Sequence, residues 1–283
     1  MNQKQALSKL QKIELEILLV VASFCKEHSI TWALDSGTAL GAARHGGFIP
    51  WDDDIDISMP RGEYERFAEL AQISFPEGYS FHCFDNTEGF SGFIGKVYKE
   101  GTKFETAETR SSGCGQGIFI DIIPFDTVST DLGTQDRQLK NAAQWQRKSY
   151  LYHSGVVAVP HKGFLGVVER AACQCAHLFL RVATKNRDVF KTQYEKSIFK
   201  KNPENGDCIT NMTFCPNGHV PFEKMYPAKP IMFEGYELCG PRDIEGYLSL
   251  MYGDWRKIPE PENRHTHLPL LIDFGDGTVW EAK

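Results

Sequence analysis

The run Trp51-Asp52-Asp53-Asp54-Ile55-Asp56-Ile57-Ser58-Met59 sets four aspartates among large apolar residues. From Asp54 onward, polar and apolar positions alternate. That period predicts a strand over 54–59, with Ile55, Ile57 and Met59 on a buried face and Asp54 and Asp56 on the other. Carboxylates two residues apart on a strand are separated by about 6.5–7 Å along the backbone, so their oxygens can turn onto one hard cation. Asp52 and Asp53 fit a solvated loop. A calcium loop fits poorly: Asp52, Asp54, Asp56 and Glu63 keep its spacing, but Ile57 stands where it needs glycine and Pro60 intrudes.

Two other segments join this run. Thr31-Trp32-Ala33-Leu34 reads as a short buried strand, followed by a turn at Asp35-Ser36-Gly37-Thr38 and a helix over 39–44, with Ser36 or Thr38 as N-cap. Backbone N–H groups of Gly37 and Thr38 at a helix start suit a phosphate. Gly117–Ile123 is an apolar strand that contains Asp121 and is closed by Pro124. A lone acid there is costly unless paired or hydrogen-bonded. Three carboxylates from two strands beside a phosphate-gripping turn predict metal-assisted phosphoryl transfer, with Asp54 and Asp56 as metal ligands. Asp121 is a third ligand, a base for an acceptor hydroxyl, or a buried hydrogen-bonded acid. Arg44, His45 and Lys96 are either phosphate contacts or surface residues.

Helical spacing covers residues 5–27, and Pro60 opens a helix with Tyr64, Phe67, Leu70 and Ala71 on one stripe. Strands are expected at 79–84 and 93–99, around a Gly-rich loop at 85–92, and again at 208–214 and 231–238, before a last helix from Pro241. Residues 134–205 read as a helical insertion, with Leu165, Val168, Ala172, Cys175, Leu178, Phe179 and Val182 on one side. Its cations Lys185, Arg187, Lys191, Lys196, Lys200 and Lys201 form a solvated face or meet a membrane or acidic glycan. The pattern predicts an α+β fold: a mixed sheet flanked by helices, with a core at 1–133, the insertion at 134–205 and a completing part at 206–283.

A net charge of −6 argues against a general nucleic-acid binder, which works through Lys and Arg on phosphates. Neither a leader sequence nor an apolar run long enough to span a membrane is visible. The eight cysteines form no CxxC pair and read as reduced thiols in a cytoplasmic protein, either free in the cytoplasm or in peripheral contact with the inner face of the membrane. Cys208, Cys215 and His219 match no standard zinc spacing.

The segment from Leu34 to Ile57, LDSGTALGAARHGGFIPWDDDIDI, resembles the signature of the LicD family. That family comprises bacterial phosphorylcholine transferases, with fukutin-type ribitol-phosphate transferases as distant relatives. Met59-Pro60-Arg61 with Tyr64, Phe119–Asp126, and Tyr252-Gly253-Asp254-Trp255 with Pro259-Glu260 extend the likeness. The resemblance implies a nucleotidyltransferase fold and a CDP-activated donor such as CDP-choline. It implies Mg²⁺, or Mn²⁺, on Asp54, Asp56 and Asp121, and transfer of a phospho-alcohol to a hydroxyl of a glycan or lipid-linked glycan, with CMP leaving. Ser36 replaces a glycine common in the family, and Ala43 a valine. A choline headgroup would favour an aromatic cage. Trp32, Phe48, Trp51 and Tyr98 are the candidates near the motif, and each also reads as a core residue. Arg264, His265 and His267 either close over the donor or form a loose tail. Two other readings stand beside this one: transfer of NMP from an NTP to a small hydroxyl compound, and a non-catalytic glycan- or nucleotide-binding protein.

Overall fold

The structure is a computed structural model that describes residues 1–157, 159–198, 203–214, 219–264 and 269–282. Among the described residues there are nine α-helices: α1 (Gln3–Glu27), α2 (Ser36–His45), α3 (Arg61–Ile73), α4 (Ala107–Ser112), α5 (Leu132–His153), α6 (Gly163–Ala183), α7 (Asp188–Glu195), α8 (Phe222–Met225) and α9 (Ile244–Tyr252). The strands are β1 (Ala33–Leu34), β2 (Asp56–Pro60), β3 (Tyr79–Cys83), β4 (Gly95–Lys99), β5 (Lys103–Glu105), β6 (Ile118–Val128), β7 (Cys208–Thr210), β8 (Val220–Pro221), β9 (Lys229–Phe233), β10 (Tyr236–Gly240), β11 (Leu271–Asp273) and β12 (Val279–Glu281). This is the expected α+β class with a mixed central sheet.

That sheet runs β1-β2-β6-β4-β3. The β2–β6 pair is parallel and its other neighbours are antiparallel. Strand β6 is its axis. Ile118, Ile120 and Ile122 are buried completely or nearly so, while Phe119 and Asp121 between them keep some exposure. The alternation separates a core face from a site face. Helix α3 packs Tyr64 and Phe67 against Phe81 of β3. Helix α1 begins with a capping box, Asn2 with Gln5, and buries Leu10, Ile13, Ile17 and Val21.

Several expectations need correction. Strand β6 does not stop at Pro124 but continues to Val128. Its pairing with β4 ends at Ile122 and its pairing with β7 starts at Asp126, so the residue without an N–H falls in the gap between two partners. The strand expected over 231–238 is a hairpin, β9–β10, turned at Glu234-Gly235 with φ of 49° and 83°. The helix after the Gly-Thr turn starts earlier than expected and is capped by Asp35, not by Ser36 or Thr38.

The insertion is helical, but α6 turns its apolar stripe outward. Phe164, Leu178, Phe179 and Val182 are exposed, and Gly166 is the buried residue of the helix. Helix α6 docks on α5 through its other side, where His177 Nδ1 meets the Leu151 carbonyl oxygen at 2.8 Å. Arg187 and Lys191, read as a solvated or membrane-facing set, are structural ties. Arg187 donates to the carbonyls of Phe84 and Thr87, and Lys191 pairs with Asp85. Lys200, Lys201 and Cys215, of the basic set and the zinc spacing, lie outside the described residues.

Candidate active site

Strand register builds the site. Asp56 on β2 is opposite Asp121 on β6, and Asp121 is opposite Lys96 on β4. His82 on β3 is next along the same row. Residues opposite one another in register share a face, so two acids and a cation stand side by side across three strands. Lys96 Nζ donates to Asp121 Oδ1 at 2.6 Å, with both side chains 15% exposed, and lies 3.4 Å from the centroid of the Phe119 ring.

The motif loop completes it. Asp54 lies in the irregular segment before β2, which starts at Asp56 and not at the expected 54. Asp53 is 3% exposed and Asp52 is half-buried, so these two are not a solvated loop. Asp52 lies against Gly37: a β-carbon on Gly37 would stand 2.9 Å from Asp52 Oδ2. Among the described residues, the carboxylates whose oxygens converge to within 4.8 Å of one another are Asp52, Asp53 and Asp54. The expected trio of Asp54, Asp56 and Asp121 does not form such a cluster, and Asp121 is paired with Lys96. Sequence reading also missed Glu14 of α1, which is 1% exposed and whose Oε2 has no hydrogen-bond partner among the described residues.

Crowding and burial shape the acidities. Burial, then Asp54, Asp121, Asp35 and Asp52, hold the Asp56 carboxyl well above the usual carboxylate range. Burial, then Asp54 and Asp53, push Asp52 up to about 8, with Arg44 opposing. Glu14 is raised by burial and then by Asp54, Asp53, Asp52 and Asp121. Asp35 is pushed up to about 6 by burial, against hydrogen bonds from the Tyr247 hydroxyl and the Ser36 N–H. The donor set is entirely carboxylate oxygen, negative and crowded, which fits a hard divalent cation.

This crowding sets an expected pH dependence. The carboxyls of Asp35 and Asp52 hold their protons to higher pH in the folded chain than their ordinary value of 3.8. The folded state therefore binds more protons than the unfolded state, and stability falls as pH rises from about 4 to about 8. Calorimetry in EDTA is expected to give a lower Tm at about pH 8 than at about pH 5, with Mg²⁺ recovering most of the difference at the higher pH. A flat profile, or no response to the ion, would contradict this electrostatic picture.

The motif's other residues hold the loop in place. Thr38 is buried, and its Oγ1 accepts from the Asp56 N–H at 2.9 Å. The Asp35 N–H donates to the Asp56 carbonyl at 3.0 Å. Ser36 has φ of 46°, a left-handed conformation that favours glycine, the residue the family resemblance places there. Arg44 Nη1 donates to the Trp255 carbonyl at 2.9 Å, tying α2 to the segment after α9. His45 stands beside Trp51, with its basicity lowered by burial and by Arg44.

Asp53, Asp54, Lys96 and Asp121 open onto a cavity of about 750 Å³. Its aromatic lining is Phe90, Phe104, Phe119, Tyr150 and Phe214. None of the four aromatic residues expected at a headgroup lines it. Trp32 and Tyr98 are each 4% exposed, with Tyr98 stacked on His82 at 3.9 Å. Phe48 packs on Phe233, and Trp51 lies under the Arg264 guanidinium at 4.3 Å. Gly37, Thr38, Arg44 and His45 are not among the cavity residues either. His265 and His267 lie outside the described residues. The lining instead comes from the 85–92 loop, β4, β5, α4, β6, α5 and residues 213–214 and 269–270, so the Gly-rich loop with Phe90 was the available signal.

Residues 29–157 match the family model described as LicD/FKTN/FKRP, nucleotidyltransferase domain. Over 275 residues the chain is 26% identical to the lipopolysaccharide cholinephosphotransferase LicD of Haemophilus influenzae, covering 93% of this chain and 96% of that protein. An uncharacterized protein of Rickettsia typhi is 37% identical over 71 residues, 24% of this chain and 21% of its own length.

Proposed function

We propose that this chain, which matches the LicD family model over residues 29–157 and resembles a LicD protein along most of its length, is an enzyme of that type and transfers phosphocholine, or a similar phospho-alcohol, from a CDP-linked donor to a hydroxyl of a cell-surface glycan precursor. The observation that carries this reading is the row Asp56–Asp121–Lys96 across three strands, whose Asp121 and Lys96 open with Asp53 and Asp54 onto the 750 Å³ cavity. The parallel β2–β6 pair that bears the two acids supports a nucleotidyltransferase-type layout of the sheet. The relative's printed name, a lipopolysaccharide cholinephosphotransferase, supports the choice of group and of acceptor class.

Asp54 and Asp56, with an oxygen from Asp52 or Asp53, would hold Mg²⁺ or Mn²⁺. Such an ion, when bound, neutralises charge on the donor diphosphate and on departing CMP. Lys96 is shared: in the structure it neutralises Asp121, and an arriving phosphate competes for it. Moving Nζ onto the phosphate frees Asp121 to take the acceptor's proton as the acceptor oxygen bonds to phosphorus and the bond to CMP breaks. The aromatic side chains of the cavity wall would suit a quaternary ammonium.

Incubation with CDP-choline, CDP-ribitol and NTPs in Mg²⁺, with a glycan or lipid-linked glycan acceptor, separates the readings. Acceptor-dependent CMP from a CDP-alcohol, lost in EDTA, is the expected result. Pyrophosphate from an NTP alone would replace this reading with NMP transfer, and no turnover of any donor would favour a binding protein.

A further inference from the structure

Helix α6 presents a long apolar face to solvent while its other side is docked on α5. Phe164, Val168, Leu178, Phe179 and Val182 are 85%, 46%, 58%, 70% and 87% exposed. Positions 164, 168, 175, 178 and 182 recur at helical spacing, so the face is one continuous stripe. At 1.5 Å per residue it is about 27 Å long. Contiguous apolar surface of this extent marks a site of interaction.

Charge identifies the partner. Residues 160–185 carry four cations, Lys162, Arg170, Arg181 and Lys185, and one acid, Glu169, in a chain whose net charge is −6. Glu169 is already engaged by His161, at 2.6 Å. Packing α6 of two chains together would gather cations with no acid left in this segment to answer them. An anionic surface answers them directly. Among the described residues, no helix is long and apolar enough to cross a membrane.

We propose that α6 lies in the interface of an anionic lipid bilayer, with the stripe from Phe164 to Val182 among the acyl chains and Lys162, Arg170, Arg181 and Lys185 against the headgroup phosphates. The arrangement resembles an interfacial helix: an apolar face on one side, Arg170 and Arg181 on the flank toward α5, where Arg181 stands over the Tyr152 ring at 5.0 Å, and Lys162 and Lys185 just beyond the two helix ends. This docking does not depend on which group the enzyme transfers.

The full chain is tested by co-sedimentation with vesicles of phosphatidylethanolamine and phosphatidylglycerol, and with vesicles of phosphatidylcholine alone, in the absence of donor. Binding to the anionic vesicles, weakened severalfold by high salt, is expected. The double variant Phe164→Ser/Phe179→Ser should bind at least about tenfold more weakly. Both positions are exposed, so its Tm should match the parent. Arg170→Glu/Arg181→Glu should also lose binding to anionic vesicles. The proposal is overturned if the parent ignores anionic vesicles or the serine variant binds them equally well. It is also overturned if the stripe instead supports a concentration-dependent dimer that the serine variant abolishes. None of these readouts involves turnover, so failure here is separable from failure of the transfer reaction.

Discussion

Asp56→Ala is expected to lower turnover by about a thousandfold or more while leaving Tm unchanged or raised. The two halves of this prediction have different physical origins. Activity falls because Asp56 is the acid that register places beside Asp121, and it belongs to the carboxylate set proposed to hold the metal. Stability holds because the bonds that fix its position use the backbone: the Asp56 N–H donates to Thr38 Oγ1, and its carbonyl accepts from the Asp35 N–H. Alanine keeps both.

Stability can even rise. Burial and four neighbouring acids keep the Asp56 carboxyl well above the usual range, so its charge is disfavoured in the folded state. Removing it relieves that repulsion in a metal-free protein. The measurements are acceptor-dependent CMP release and a thermal melt in EDTA. Near-parental turnover would remove Asp56 from the site. A large drop in Tm with lost activity would show a structural role instead, and Asp56→Asn, nearly the same shape without charge, would then separate the two.

How far the site was legible follows from where its parts lie along the chain. Period-two alternation around Asp56 and Asp121 set out β2 and the first half of β6, because each has one face that must be buried. Lys96 stood out for the same reason, as a charge inside an apolar strand. Pairing of Asp121 with Lys96 was not legible, because it depends on β4 lying beside β6 in one register, and a shift of one residue would have parted them. The cavity wall was invisible for a stronger version of that reason. Phe90, Phe104, Tyr150 and Phe214 lie far apart in sequence and meet only through tertiary packing. Proximity to the motif pointed to Trp32 and Phe48, yet both serve the core. Short strands carry too few residues to show a period, and β5, β11 and β12 have three each. The stripe of α6 misled in another way: periodicity reveals that a helix has an apolar face, not what the face meets.

Asp126→Ala is expected to destabilise the fold by about 3–5 kcal/mol, the usual cost of breaking a buried ion pair from one side. Asp126 is fully buried and Arg61 is 9% exposed. The pair is bidentate: Arg61 Nε and Nη2 each donate to one carboxylate oxygen at 2.7 Å. It joins the first turn of α3 to β6, just beyond the register pair Pro60–Phe125. In this way two motifs of the family resemblance, Met59-Pro60-Arg61 and Phe119–Asp126, meet as one structural clamp. Truncating the acid leaves the guanidinium buried without its counter-charge, and arginine does not shed its proton to compensate. Chemical denaturation should report the loss as a lower midpoint at similar slope. The double variant Arg61→Met/Asp126→Leu should recover much of it, since an apolar pair removes both charges together. A single-variant loss below about 1 kcal/mol would mean that water replaces the carboxylate, and that the clamp contributes little to holding β2 and β6 in the register that places Asp56 beside Asp121.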